Sequence, residues 1–579
     1  MNVLIVNLTR FGDLLQSAAT VRALAARGNH GATPGARNTS GTGNTSGTGN
    51  TSGAGNTIGI VCLENFVSGA ELLPEVDAIF PLPSGKIMAA LNALSETNGN
   101  PPGNTSGNTP GWLGGMRELH AWVTAVKERF APDAVYNISP TTSSCLLGRL
   151  LADGGEYSGF TIDGFGYRHN ASPWAAFMQG ATASRSVSPF NIVDLFRKIA
   201  GDDIPEPDAS LLPVPAAART AVRETLLRET PADTNGFVAL QLGASAAVRQ
   251  WPVASFAAVG DALWEKRRLL PLLVGTQAEL PLEQAYAAHA TGKYASLIGK
   301  TGITELGAAL SLSSLLISND TGTLHLGSGL GIPVIGIYLA TAQPWDTGPY
   351  APGSLSLEPD IPCHPCEFGM LRESGACDHN LACHRAITPE AVLTLAERSL
   401  EPNSRAAALP APGTENFAAL KGTRAWCSVR DAYGFADLTS LSGHENAERT
   451  KWMRLQRLVY RQFFDKNRNA PFVFIPPASP VHISGETGAA LENACEAVLS
   501  LFDALLQQAV MLTETPIPTI KERFQRTLQR LSTMLAGQPA FAAIAFMWRD
   551  EIMAQQSLED SIPLMAQYRD LFQAIKDAI

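Results

Sequence analysis

The chain has 579 residues, 45% of them hydrophobic and 17% charged, a globular composition with length for about three domains. Its formal net charge of −10 argues against a general nucleic-acid binder, whose field should be positive, while leaving room for a local basic groove. No uninterrupted apolar run reaches the about 18 residues that a bilayer requires, so no transmembrane helix is expected. The opening MNVLIVNLTRFGD lacks a basic leader and is broken by Arg10 and Asp13, so it is expected to be a buried first strand of a cytoplasmic protein.

In chain order, Val3–Val6 reads as a strand and Gly12 to Ala26 as a helix. Segment 31–57 is Gly, Asn, Ser and Thr almost throughout, as is 98–111; neither can bury enough apolar area to offset chain entropy, and both read as loops inserted into a fold. The Asn-Thr-Ser triplets have the form of glycosylation acceptors, a reading that the missing secretory leader opposes. Ile58–Cys62, Ala78–Leu82, Ala134–Asn137 and Gly159–Ile162 read as strands, with helices at Leu113–Arg129 and Leu146–Leu151. Short apolar strands alternating with helices imply parallel βαβ units.

The Pro-rich stretch Asp202–Pro215 reads as a linker, after which the alternation restarts. Strands are expected at Phe237–Leu242, Leu269–Val274, Leu315–Ser318 and Val334–Tyr338, and helices after Trp251-Pro252 and at Pro281–Ala290, Thr304–Leu312 and Thr321–Gly329. Beyond about 405 helical spacing dominates, at Glu445–Phe464, Gly488–Leu512, Ile520–Leu535, Phe541–Gln556 and Leu564–Ile575. The expected architecture is α/β: a Rossmann-like domain at 1–205, a second at 206–404 and an α-helical extension at 405–579. Two such sheets facing each other would form a cleft at their carboxyl edges.

Four loops at those edges carry chemistry. Arg10-Phe11-Gly12-Asp13 follows the first strand; Asp13 is either an N-cap carboxylate or a general base that takes a proton from an acceptor hydroxyl. In Ser318-Asn319-Asp320-Thr321-Gly322-Thr323-Leu324-His325 a strand hands over to a helix. The amides at that helix start, with the Thr321 hydroxyl and the open approach over Gly322, suit a diphosphate, and Asp320 would face sugar hydroxyls. His325 is one turn in, and its plainer role is a satisfied core histidine. Gly243-Ala244-Ser245 with Arg249 forms a third loop, where the guanidinium either grips phosphate in a fork or is simply solvated. Gly275-Thr276-Gln277-Ala278-Glu279 forms the fourth, where Glu279 either accepts from ribose hydroxyls or starts a helix on the surface. Gly327-Ser328-Gly329-Leu330-Gly331 looks like a dinucleotide fingerprint but ends a helix, where the fingerprint follows a strand. Neither a Walker A sequence, an HExxH nor an Asp-x-Asp metal motif occurs.

In this order, RFGD after the first strand, RQWP, GKTGITELGAAL and ISNDTGTLHLGSGLGIPVIGIY resemble glycosyltransferase family 9, the ADP-heptose:lipopolysaccharide heptosyltransferases, over about residues 1–400. The resemblance implies a GT-B fold and an inverting transfer of heptose from ADP-heptose to the lipopolysaccharide inner core. Asp13 would be the base, Asp320 would bind the donor sugar, Thr321 and Gly322 the diphosphate, and His325 would sit beside them. Ser245 belongs to the same donor loop. Arg249 stands where the family often has a phosphate-binding lysine, Glu279 where it has a ribose-binding acid, and Lys300 and Thr301 would lie against the base. Arginine at 249 keeps the charge and changes the geometry. No cofactor would be required for catalysis. The partners implied are an ADP-sugar and an anionic glycolipid at the cytoplasmic face of the inner membrane, visited peripherally. The other readings are transfer from another nucleotide sugar or to another acceptor, and a non-catalytic nucleotide-sugar-binding module that recruits partners. A nucleotide-dependent oxidoreductase lacks its glycine fingerprint.

Cys363, Cys366, Cys377 and Cys383 are spaced as a structural zinc site would be, although the last interval is long for a zinc knuckle. An iron–sulfur cluster, and free or disulfide-bonded thiols, stay open beside zinc.

Overall fold

The computed structural model describes residues 1–27, 55–87, 111–183, 185–201, 207–228, 230–366, 377–401, 418–466, 471–477 and 481–579. The two Gly/Asn-rich inserts therefore lie almost wholly outside the described residues, as do the expected boundaries at 205 and 404. The described chain forms two compact units. One comprises 1–169 and 196–212, the other 170–195 and 213–579.

The first unit is built on one sheet. β1 (Asn2–Val6), β2 (Thr57–Leu63), β3 (Ala78–Leu82), β4 (Ala134–Asn137), β5 (Glu156–Ile162) and β6 (Arg168–Asn170) lie in the order β3-β2-β1-β4-β5-β6. The first five are parallel. Helices cover both faces of such a sheet, so the inner strands are apolar on both sides, and Leu4, Ile5, Val6, Ile60 and Val135 are fully buried. The helix expected from Gly12 to Ala26 is two, α1 (Phe11–Gln16) and α2 (Ala18–Ala26). Ser17 parts them: its hydroxyl donates to the Leu14 carbonyl at 2.6 Å and its N–H to the same carbonyl at 3.2 Å, tightening the turn. α3 (Gly111–Phe130) and α4 (Thr142–Ala152) extend the expected helices. Thr141 caps α4, accepting from the Ser144 amide at 3.2 Å.

The second unit begins with α5 (Pro173–Ala183), a helix that sequence periodicity did not single out. Its sheet has β7 (Gly236–Gln241), β8 (Leu269–Val274), β9 (Ala295–Ser296), β10 (Ser313–Asn319), β11 (Val334–Ile337), β12 (Leu355–Pro359), β13 (Thr423–Arg430) and β14 (Ala436–Ser440). They lie in the order β14-β13-β12-β11-β10-β7-β8-β9, parallel from β12 to β9 and antiparallel across the last two pairs. α6 (Val253–Arg267), α7 (Leu280–His289), α8 (Ile303–Ser311), α9 (Gly322–Gly329) and the short α10 (Pro344–Thr347) fill the connections. Both sheets are doubly wound, and in both the order reverses beside the first strand: β1 and β4 in one, β7 and β10 in the other.

The region expected to be purely helical opens with strands. β13 and β14 form a hairpin whose turn is fixed by Asp431, its carboxylate accepting from the amides of Tyr433 and Phe435 at 2.9 Å each. Because β13 pairs with β12, this stretch completes the second sheet and belongs to the same compact unit. The outward backbone groups of β14 are taken up by side chains. Asp194 accepts from the Ala436 amide at 2.8 Å, Glu445 from the Ser440 amide at 3.0 Å, and Arg457 and Arg454 donate to the Ala436 and Leu438 carbonyls at 2.7 and 2.9 Å. Five helices then follow, as expected: α11 (Glu448–Asp465), α12 (Gly485–Glu514), α13 (Pro518–Ala536), α14 (Ala542–Met553) and α15 (Leu558–Ala578). By length and composition α12 is apolar enough to cross a membrane. Here its Cys495, Val498, Phe502 and Leu505 are buried, and Phe502 packs on Trp548 and Phe572 of α14 and α15.

Candidate functional site

In the second unit the carboxyl ends of β7 and β10 are neighbours, and the residues expected on the donor side gather there. Asn319, the last residue of β10, ties the two ends together. Its amide donates to the carbonyls of Leu242 and Gly243 at 2.8 and 3.2 Å and accepts from the Trp251 N–H at 2.9 Å. Trp251 is itself locked, 1% exposed, with its indole N–H on the Ile387 carbonyl at 2.9 Å. The loop 243–250 is thereby held against the start of α9.

Across this junction Arg249 reaches Asp320 in a direct ion pair and donates to the Ser245 hydroxyl at 3.1 Å. Both side chains of the pair are nearly enclosed, 11% and 9% exposed, so the charges attract through little solvent. The Nε of Arg249 is buried with no partner, which leaves one guanidinium donor for an incoming acceptor. His325 sits on the other side of Asp320, Nε2 to Oδ1 at 3.9 Å. Burial lowers its pKa, Asp320 opposes this and the Arg185 cation reinforces it, so the imidazole is neutral at pH 7.

Thr321 occupies the N-cap position of α9 without capping it; its hydroxyl lies 3.1 Å from that of Ser318 instead. The helix start at Gly322 is therefore not occupied by its own cap, the condition for an anion site. Glu279 lies on the neighbouring edge, bridging the ends of β7 and β8. It accepts from Gln241 Nε2 at 2.6 Å and from the Thr276 amide at 2.6 Å, closing the capping box Thr276–Glu279. Glu279 therefore does start a helical turn, and it is anchored while doing so. Gly243 permits this approach: a Cβ there would stand 1.7 Å from Glu279 Oε1. Lys300 follows β9, its ammonium on the Ser296 carbonyl at 2.9 Å, with Thr301 next to it and the Gly299 amide on the Gly275 carbonyl at 3.0 Å. Ser245, Arg249, Glu279, Lys300, Thr301, Asp320, Thr321, Gly322 and His325 thus share the carboxyl edge of one sheet.

Asp13 lies in the first unit, at that sheet's corresponding position. It is the third residue of α1, in the acidic first turn, while Arg10 is at the N-cap. The cap reading of Asp13 is therefore replaced by a helix-interior carboxylate in the field of the helix start. Around the same switch point Asn7 Oδ1 accepts from the Thr9 amide at 3.2 Å and the Ser139 hydroxyl from the Leu8 amide at 2.8 Å.

Sequence reasoning missed Arg185, Gln343 and Asp346. The last two follow β11, whose carboxyl end was a legible loop without a recognised motif, whereas Arg185 lies 161 positions before Asp346 in sequence and gives no local sign.

All eight cysteines are free thiols. Cys366 has its thiol on the Cys363 carbonyl at 3.5 Å; burial and the neighbouring Cys383, Cys363 and Cys377 push its pKa up to about 11. The four thiols thus share one neighbourhood, although among the described residues no three His, Cys, Asp or Glu side chains stand close enough to hold a metal ion.

Residues 192–371 match the sequence model of glycosyltransferase family 9 (heptosyltransferase). No curated protein matches the chain. Among solved structures, a family 9 glycosyl transferase from Veillonella parvula is similar at 16% identity and TM-score 0.48, covering 69% of this chain and 96% of its own. The E. coli ADP-heptose lps heptosyltransferase II is similar at 15% identity and TM-score 0.45, covering 69% and 98%. The E. coli heptosyltransferase WaaC with ADP is similar at 17% identity and TM-score 0.42, covering 69% and 100%.

Proposed function

We propose, from the match of residues 192–371 to the glycosyltransferase family 9 (heptosyltransferase) model, that the chain transfers heptose from ADP-heptose to an inner-core lipopolysaccharide acceptor with inversion. The observation that carries the reading is the junction of Arg249, Asp320, His325 and the uncapped start of α9 at the switch point of the second sheet. Every donor-side residue named above falls inside the matched segment.

In the proposed reaction Asp13 takes the proton of the acceptor hydroxyl as its oxygen attacks the anomeric carbon. The bond from that carbon to the diphosphate oxygen breaks on the opposite face, and ADP leaves. The departing charge is met by the amides of α9 and by Arg249, each such contact contributing about 2–4 kcal/mol of transition-state stabilisation. Neutral His325 then serves as a hydrogen-bonding group beside Asp320. The protein would work at the cytoplasmic face of the inner membrane, bound peripherally to an anionic glycolipid.

The experiment is a donor screen with purified protein, reading nucleotide release with and without acceptor. Acceptor-dependent release from ADP-heptose supports the proposal. Release from a UDP- or GDP-sugar alone would keep the family chemistry and replace the donor, and binding without release under any condition would leave a nucleotide-sugar-binding module.

A further inference from the structure

One more ion pair stands at the same sheet edge. Arg185, in the turn Arg185–Val187, sets its Nε 2.5 Å from Asp346 Oδ2 and donates from Nη2 to the Thr347 hydroxyl at 2.9 Å. Asp346 belongs to α10, which follows β11, and β11 pairs with the β10 that ends at Asn319, immediately before Asp320. The groups share one field: Arg185 acts on His325, and Asp346 feels Asp320 and Arg249. Two arginine–aspartate pairs, 249 with 320 and 185 with 346, therefore stand with their carboxylates just past the ends of the neighbouring strands β10 and β11.

We propose that Arg185 is a second cation of the donor diphosphate site, a reading that rests on the donor-site assignment above. Charge balance is the first argument. The two pairs sum to zero, and Arg249 is already neutralised by Asp320. A diphosphate brings more than one negative charge into this enclosed place and would draw on both guanidinium groups, competing with Asp320 for Arg249 and with Asp346 for Arg185. Geometry is the second. The Arg185 side chain is 21% exposed and that of Asp346 9%, so the guanidinium is the more accessible member of the pair. A planar guanidinium can exchange a carboxylate for the oxygens of a phosphate, because both accept its forked donors.

Support is the third argument. Gln343, fully buried, donates its amide to the Arg185 carbonyl and accepts from Arg449 Nη2 at 2.5 Å. Arg449 in turn donates to Glu358 at 2.8 Å. Since Arg449 is on α11, the C-terminal region braces the backbone that carries this cation, which gives that region a role in the donor site.

Calorimetric titration of ADP and of adenosine into wild-type protein, Arg185→Gln and Asp346→Asn tests this. Adenosine lacks the diphosphate, so the ratio of the two affinities isolates the phosphate contribution from any general loosening. Arg185→Gln should weaken ADP about 10- to 100-fold and leave adenosine within about twofold. Asp346→Asn removes the anion that competes for Arg185, and should tighten ADP relative to adenosine. An unchanged ADP-to-adenosine ratio in either folded variant overturns the proposal, and where Arg185→Gln fails to fold, Asp346→Asn decides alone. If wild-type protein binds no ADP at all, the donor-site reading itself fails, a result distinct from wild-type binding that neither variant alters.

Discussion

The two carboxyl edges of this molecule have the same strand reversal and opposite electrostatics. At the β1–β4 edge the groups near the junction include Asn7, Ser139, Arg10 and one carboxylate, Asp13, and among the described residues no Asp or Glu of that unit is buried. At the β7–β10 edge Asp320 is enclosed with Arg249, and the same unit buries Asp194, Asp346 and Glu358. One topology thus supports both a lightly charged edge and a heavily charged one. The difference fits the proposed division of labour: an acceptor hydroxyl needs one base, whereas a diphosphate needs several fixed positive charges.

The largest expected effect breaks the quiet edge. Asp13→Asn should lower kcat about 10²- to 10⁴-fold while ADP binding by calorimetry stays at the wild-type value. Unchanged turnover would remove Asp13 from the reaction.

On the charged side, Glu358 is the deepest test. Burial would raise its pKa, but Arg449 and Arg424 outweigh that and hold it at about 2, below the ordinary 4.5. A carboxylate depressed in the folded state adds stability that is present above about pH 4.5 and lost as pH falls toward about 2. Melts of the wild type should show that acid loss, with hydrogen exchange placing the first opening in the second unit. Glu358→Gln leaves two buried arginines short of a partner, should destabilise the protein by about 3–5 kcal/mol at pH 7, and should flatten the acid limb.

Arg249→Ala should cost about 2–4 kcal/mol in kcat/KM for the donor, and Arg249→Lys less, because charge survives and the fork does not. Equal kcat/KM in all three proteins would place the diphosphate elsewhere. Gly243→Ala should have the smallest effect, about 1–3 kcal/mol of stability with a few-fold weaker nucleotide, since the new methyl displaces Glu279. A wild-type melt would show that Glu279 moves aside freely.

Much of the fold was legible because its signals are local. The apolar runs Leu269–Val274 and Val334–Ile337 read as buried strands from their length and bounds, and the candidate site loops stand at strand ends. What was illegible depended on distance. The hairpin β13–β14 alternates weakly in sequence and becomes part of a sheet only because β12 offers it an edge. The break at Ser17 arises from a single hydroxyl turning back on its own helix. Arg185 is joined to Asp346 by folding alone, across 161 positions.

The dressing of β14 has a consequence for the life of the protein in a crowded solution. A terminal strand with bare amides and carbonyls is a template on which another chain can add a strand. Here Asp194, Glu445, Arg454 and Arg457 occupy those groups, so the sheet stops at β14. Charge at this rim thus guards against aggregation as well as holding the hairpin, and a chain truncated before α11 would lose Arg454 and Arg457 and expose a sticky border.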